Sequence, residues 1–307
     1  MNVRRMKDTL ARRVMGLLAL FVLSLAFLMA AGLFVRSRPI LENRSFLDIL
    51  TSTAWHPSEG EFGLGGFILG TVWVTGIAMV IAIPLSLLTA LYLSEYASRR
   101  LKELARPVVD VLAGISPVVF GVWGTLTVVP FVRDTLMPFC SAHLPFFPFA
   151  SENYTGYSAL SGGIVLAVMV SPIMISVMEE VLRSIPPEIR EASLALGATR
   201  WQTTQRAVLR KAWPGVVAAV ILGFSRASGE TMAVLMVAGC ALQEIPKSLF
   251  DPAYPLPALI ANTYGEMMSV PLYDAAVLLA AFVLLLITVL FNAAGWGILL
   301  RLEKREE

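Results

Sequence analysis

Arg226 and Glu230 stand four residues apart inside a long apolar run bounded by Pro214 and Gly239. A charge at the centre of a membrane helix costs roughly 2.5–3.5 kcal/mol on insertion scales, so both groups are expected to face a bundle interior or water. On a continuous helix this spacing puts them one turn apart on one face, where they pair. Ala219, Gly223 and Ala233 extend that face with small side chains and leave room beside the pair. Two readings stand side by side: a structural ion pair that fixes helix register, or a site on the path of an anion. A guanidinium suits the second because it offers planar, bidentate hydrogen bonds to phosphate oxygens and does not deprotonate. The carboxylate would then hold the arginine between deliveries and keep anion binding transient.

Other chemistry is missing. No Gly-Lys pair occurs, so there is no Walker A phosphate loop. There is no H-E-x-x-H, and Gly223-Phe224-Ser225-Arg226-Ala227 fails the G-x-S-x-G pattern at its last place. His56 and His143 both fall between the apolar runs, where they are most simply solvated. No catalytic residue, metal site or cofactor is therefore expected.

A second constellation lies in the polar stretch 183–211. Pro186 and Pro187 suit the first turn of a helix, and Glu188 and Glu191 follow near its positive end. Ile189, Ala192, Ser193 and Leu196 recur at helical spacing, and Gly197 supplies the stop. Thr199-Arg200-Trp201-Gln202 is a capping-box pattern for a second helix, expected to end on Arg210-Lys211. Two short helices hinged at one glycine are built to be gripped. Glu191 either accepts a hydrogen bond from a partner or caps its own helix.

The elements that position these groups follow from hydropathy. The chain has 307 residues, 57% hydrophobic and 15% charged, with a mean hydropathy of +0.73. Apolar runs long enough to cross a lipid bilayer recur at 14–35, 67–93, 108–131, 159–182, 212–242 and 275–300. The expected fold class is an all-α membrane protein with six transmembrane helices. The first run is too long for a signal-peptide core, and it reads as a retained anchor. Lysine and arginine crowd the amino terminus, the 94–106 and 183–211 loops and the carboxyl tail, 18 of 24 in all. Five lie in the other three loops, which puts both termini in the cytoplasm. The basic residues are topological, and no nucleic-acid partner is expected. Prolines and glycines in the second to fourth runs fit either ordinary close packing or a bundle that opens and closes. The run 259–268 reads as a re-entrant or interfacial helix, or as a packed loop. Cys140 and Cys240 are expected to be unpaired.

Glu191-Ala192-Ser193, three residues, then Gly197 resembles the E-A-A-x-x-x-G motif of ABC-importer permeases. In that family the loop holds the coupling helix that docks into the ATPase. Tyr92-Leu93-Ser94-Glu95-Tyr96 and the segment 113–121 are similar to stretches of phosphate permeases. The segment 223–234, with Gly229-Glu230-Thr231-Met232-Ala233-Val234, resembles the C-type permease subunit of phosphate ABC importers.

The resemblance implies the type I ABC importer permease architecture in a bacterial inner membrane. It implies coupling through Glu191, Ala192 and Gly197, and a phosphate path past Arg226 and Glu230. It further implies two copies of an ATP-binding subunit, a sister A-type permease subunit and a periplasmic phosphate-binding protein. The expected organisation is a tail, first helix and outer loop over 1–65, a permease core over 66–300 with its coupling loop at 183–211, and a tail over 301–307. The sister A-type permease, a permease for another oxyanion and a secondary transporter are the rival readings. A secondary transporter would need no partner loop, and its halves should resemble each other, which these do not visibly do.

Overall fold

The computed structural model describes residues 3–303 apart from 43, 144–145, 152, 243–244 and 267–271. Lys304 and Arg305 of the basic tail and part of the 259–268 run lie outside the described residues. Apolar periodicity produces helices almost throughout. Five are long and apolar enough to cross a membrane, and a sixth span is added if one sharply bent pair counts as one.

Helix α1, Val3–Leu41, overruns the expected anchor at both ends. Its apolar stretch is exposed and it packs on the last helix, with Phe34 against Phe282 at 5.6 Å. A short helix α2, Phe46–Thr51, and a two-stranded hairpin, β1 Trp55–His56 and β2 Glu61–Phe62, follow it. Helix α3, Gly65–Leu91, then runs on through a single π turn, Tyr92–Tyr96.

The third expected span is corrected. Apolar residues 108–114 end an amphipathic helix α4, Arg99–Gly114, and a 94° bend separates it from α5, Pro117–His143. Pro117 explains the break, because the residue before a proline is pushed into extended backbone, and Ser116 has ψ 138°. Only the two arms together, Arg99–Gly114 and Pro117–His143, are long and apolar enough to count as one span. Leu101, Leu104, Val108 and Val111 lie exposed along α4.

Helix α6, Ala159–Ser184, is the central element and packs most closely on α3. A Cβ on Gly163 would lie 2.4 Å from Ile77 Cγ2, so this glycine is what lets the two backbones approach. Helix α7, Pro187–Ala195, and α8, Arg200–Ser228, follow. Helix α8 does not stop at Arg210-Lys211; it passes through a π turn, Thr204–Val208, straight into the membrane. The fifth expected run is broken after Ser228, and a short helix α9, Met232–Val237, completes it.

The undecided outer run starts with α10, Leu256–Thr263, which buries Leu256, Pro257, Ala258, Leu259 and Thr263 and packs on α3 and the last helix, α11, Tyr273–Glu303. It is a packed segment, and the Leu256 N–H donates to Thr71 Oγ1 at 2.9 Å. Two apolar cores result. One joins α3, α5, α6, α8 and α9. The other gathers Trp55, Phe62, Phe67, Tyr254 and Tyr273 edge to face beneath the hairpin and α10.

Candidate functional site

The gripped loop forms as its sequence dictates. Pro187 opens α7, and Pro186 in the cap position makes no side-chain cap, so Glu191 is not spent on its own helix end. Leu196 ends α7, and Gly197 takes φ +82°. The Gly197 N–H then donates to Leu194 O at 2.9 Å and the Ala198 N–H to Ser193 O at 3.3 Å. That pair of bonds is a Schellman motif, which satisfies the last carbonyls of the helix and needs a left-handed residue. The capping box of α8 is complete: the Gln202 N–H donates to Thr199 Oγ1 at 3.2 Å, and the Thr199 N–H to Gln202 Oε1 at 2.9 Å. Ser193 Oγ and Thr203 Oγ1 lie 3.0 Å apart and join the two helices across the hinge.

What this geometry presents outward is apolar. Helix α7 buries none of its residues, Leu194 and Trp201 are exposed, and Leu196 is 89% exposed. Glu191 and Ala192 are exposed on the same loop, and Glu191 makes no hydrogen bond or ion pair among the described residues. The knuckle thus presents exposed leucines beside a carboxylate that has no partner among the described residues.

Arg226 and Glu230 are not brought together. The expected pairing required one continuous helix, but α8 ends at Ser228. Glu230 turns instead to the first amides of α9, accepting from Met232 N at 3.2 Å and Ala233 N at 3.5 Å. Arg226 shares the exposed face of α8 with Leu222. Ala219 and Gly223 lie on the other face, where a Cβ on Gly223 would meet Met174 Sδ at 2.5 Å, so the small residues serve packing rather than open space. A guanidinium exposed amid apolar residues needs water, an anion or a second chain beside it. Cys140 and Cys240 are unpaired.

The fold and the sequence are similar to those of known proteins. Residues 82–298 match the family of binding-protein-dependent transport system inner membrane components. The chain belongs to that family. This permease is 33% identical over 289 residues, 92% of its own length and 91% of the relative's, to the "Probable phosphate transport system permease protein PstC" of Methanocaldococcus jannaschii. It is 37% identical over 259 residues to the "Phosphate transport system permease protein PstC" of Xylella fastidiosa strain 9a5c, covering 83% of this chain and 79% of that one. Among solved structures, a chain of a bacterial ABC transporter involved in import of the acidic polysaccharide alginate superposes with TM-score 0.59 at 14% identity, over 97% of the permease and 99% of that chain. The MetNI methionine ABC transporter gives 0.58 at 19% identity, over 78% and 95%. The fold is that of a type I ABC importer permease. Family membership implies an ATPase partner and a substrate-binding protein.

Sequence reasoning missed two ion pairs that lie beside the loop. Arg190, the residue before Glu191, contacts Glu95 in the π turn after α3, 95 positions away, with Nη2 to Oε1 at 2.8 Å and Nε to Oε2 at 3.1 Å. Arg106 on α4 contacts Glu179 near the end of α6, with Nε to Oε1 at 3.0 Å. Arginines 106 and 190 counted only toward topology, and their partners are set by tertiary packing. Glu95 follows an uncharged span directly, which is the one signal the sequence offered; Glu179 stands among the charges Glu180 and Arg183.

Proposed function

We propose that this chain is the C-type permease subunit of an ATP-driven importer that moves inorganic phosphate inward across the bacterial inner membrane. The observation that carries the cargo is the name of the relatives, shared at 33% and 37% identity over most of the chain. The exposed knuckle of α7, Gly197 and the start of α8 carries the drive, since it presents Glu191, Ala192 and Leu196 to a partner. In this reading both termini and the knuckle face the cytoplasm, as the lysine and arginine bias requires. Hydrolysis is supplied by two copies of a separate ATP-binding subunit. A sister A-type permease completes the path, and a periplasmic phosphate-binding protein delivers the ion.

Arg226 borders that path. Its guanidinium lies on the exposed face of α8 with no hydrogen bond or ion pair among the described residues, and the sister subunit and the moving anion supply its polar surroundings. Glu230 acts beside it by capping α9, which fixes the break after Ser228 and so the place where Arg226 stands. The test is uptake of radiolabelled phosphate by cells carrying the variants, with subunit assembly followed by co-purification. Arg226→Lys keeps the charge but loses the planar fork, and uptake should fall at least tenfold with assembly intact. Normal assembly and wild-type uptake in Arg226→Gln and Glu230→Gln would refute the path.

A further inference from the structure

Arg190 does more than neutralise one carboxylate. Its Nη1 donates to Ile185 O at 2.6 Å and its Nη2 to Leu182 O at 2.8 Å, while Nε and Nη2 hold the Glu95 carboxylate. The two carbonyls belong to the end of α6 and the residue that closes it, where a cation suits the negative end of the helix dipole. One guanidinium therefore joins three elements: its own helix α7, the end of α6 and the π turn after α3. Four of its five N–H groups are used, a geometry that a lysine ammonium does not reproduce.

The acceptor is prepared from its own side. The Ala97 N–H closes the π turn by donating to Tyr92 O at 2.9 Å, which adds a residue to the last turn of α3 and aims Glu95 toward α7. Ser94 Oγ donates to Glu95 Oε1 at 3.0 Å, and Lys102 Nζ holds Ser94 O at 2.7 Å from α4. The pair is largely shielded, with the Arg190 side chain 23% and the Glu95 side chain 12% exposed. Among the described residues, helix α7 is otherwise held by half-buried Ile189 against the bundle core and by the Ser193–Thr203 bond to α8, and it buries no residue fully.

We propose that the Arg190–Glu95 pair is the tie rod by which displacement of α7 is delivered to α3, making both positioning residues for transport. The inference rests on the importer reading above. A docking helix moved by a partner displaces the spans only through contacts stiff enough to carry the movement. Its chain link through Gly197 is a single left-handed residue, whereas the guanidinium fork is fixed in direction and bonded on three sides.

The test uses the complete transporter reconstituted in proteoliposomes with its ATPase, sister permease and binding protein. Spin labels on cysteines replacing the exposed Glu188 and Tyr92, in a background with Cys140 and Cys240 replaced by alanine, report the separation of α7 and the end of α3 without reference to cargo. With the tie intact, that separation should be one narrow distribution, unchanged between nucleotide-free and ATP-bound states. In Glu95→Ala it should broaden and shift on ATP binding. Radiolabelled phosphate imported per ATP hydrolysed should fall at least tenfold in Glu95→Ala and severalfold in Arg190→Lys, with hydrolysis and subunit assembly retained. Distances that are the same in wild type and Glu95→Ala overturn the tie rod. So does uptake lost only in proportion to complex lost, which would make the pair merely structural. A wild-type transporter whose hydrolysis ignores phosphate, yet whose label distances respond to Glu95→Ala, refutes the cargo and leaves the tie standing.

Discussion

Gly197 offers a substitution whose cost is separable into parts. A Cβ built there meets nothing within 4 Å, so no substitution at this position is opposed by a clash. The penalty is the backbone alone: φ is +82°, and an L-residue in the left-handed region costs about 1–2 kcal/mol. A β-branched side chain lies at or above the top of that range, and asparagine, which tolerates the region, near its foot. If the loop keeps its shape only by absorbing this strain, the docked complex loses a similar amount. At about 1.4 kcal/mol per tenfold change, Gly197→Val should weaken ATPase binding roughly tenfold or more, and Gly197→Asn only about fivefold. The assay is a titration of the detergent-solubilised permease with purified ATPase subunit, read by fluorescence anisotropy. Far-ultraviolet circular dichroism on the same samples checks that the spans are intact. Equal binding by Val, Asn and Gly variants would refute the reasoning, because the Schellman geometry would then carry none of the docking energy.

Two further outcomes are expected. Gly163→Val inserts methyl groups where Ile77 Cγ2 already lies 2.4 Å from the Cβ position, and overpacking of about 1–3 kcal/mol should lower the detergent melting temperature; an unchanged melting temperature would mean the α3–α6 contact is looser than it looks. For topology, single cysteines at Ser58 and Leu196, both exposed, should be distinguished by an impermeant thiol reagent on intact cells, labelling Ser58 alone. Thr203, which charge counting also places inside, is 4% exposed and makes a poor reporter. Labelling of Leu196 but not Ser58 would invert the orientation.

The spans and the hinge were readable because their causes are local. Hydropathy over some twenty residues decides a membrane helix, and Gly197 after a periodic run announces a left-handed stop whatever surrounds it. Even the Thr199–Gln202 box closes within four residues. The misreadings came where a local rule competes with another. Four-residue spacing argues for a pair between Arg226 and Glu230, but Gly229 lets the helix stop, and the first amides of α9 then claim the carboxylate. The apolar run 108–131 reads as one span until Pro117 forces Ser116 out of the helix. The Arg190–Glu95 and Arg106–Glu179 pairs were out of reach for a different reason: each joins helices that only the packed bundle brings side by side.

The division of the apolar interior into two cores bears on how such a chain changes over time. Among the described residues no buried one belongs to both: the bundle core is built from α3, α5, α6, α8 and α9, and the outer one from the hairpin, Phe67 at the start of α3, α10 and the start of α11. Regions that share few contacts open and close as separate cooperative units. A substitution such as Trp55→Ala therefore acts first on the outer unit, and it reaches the bundle through α3, which supplies residues to both, and through Leu235 of α9. The outer unit is thus the part in which substitutions can accumulate with least effect on the knuckle and Arg226, and residues 40–64 together with the α10 segment mark the natural boundary for exchanging it with a relative.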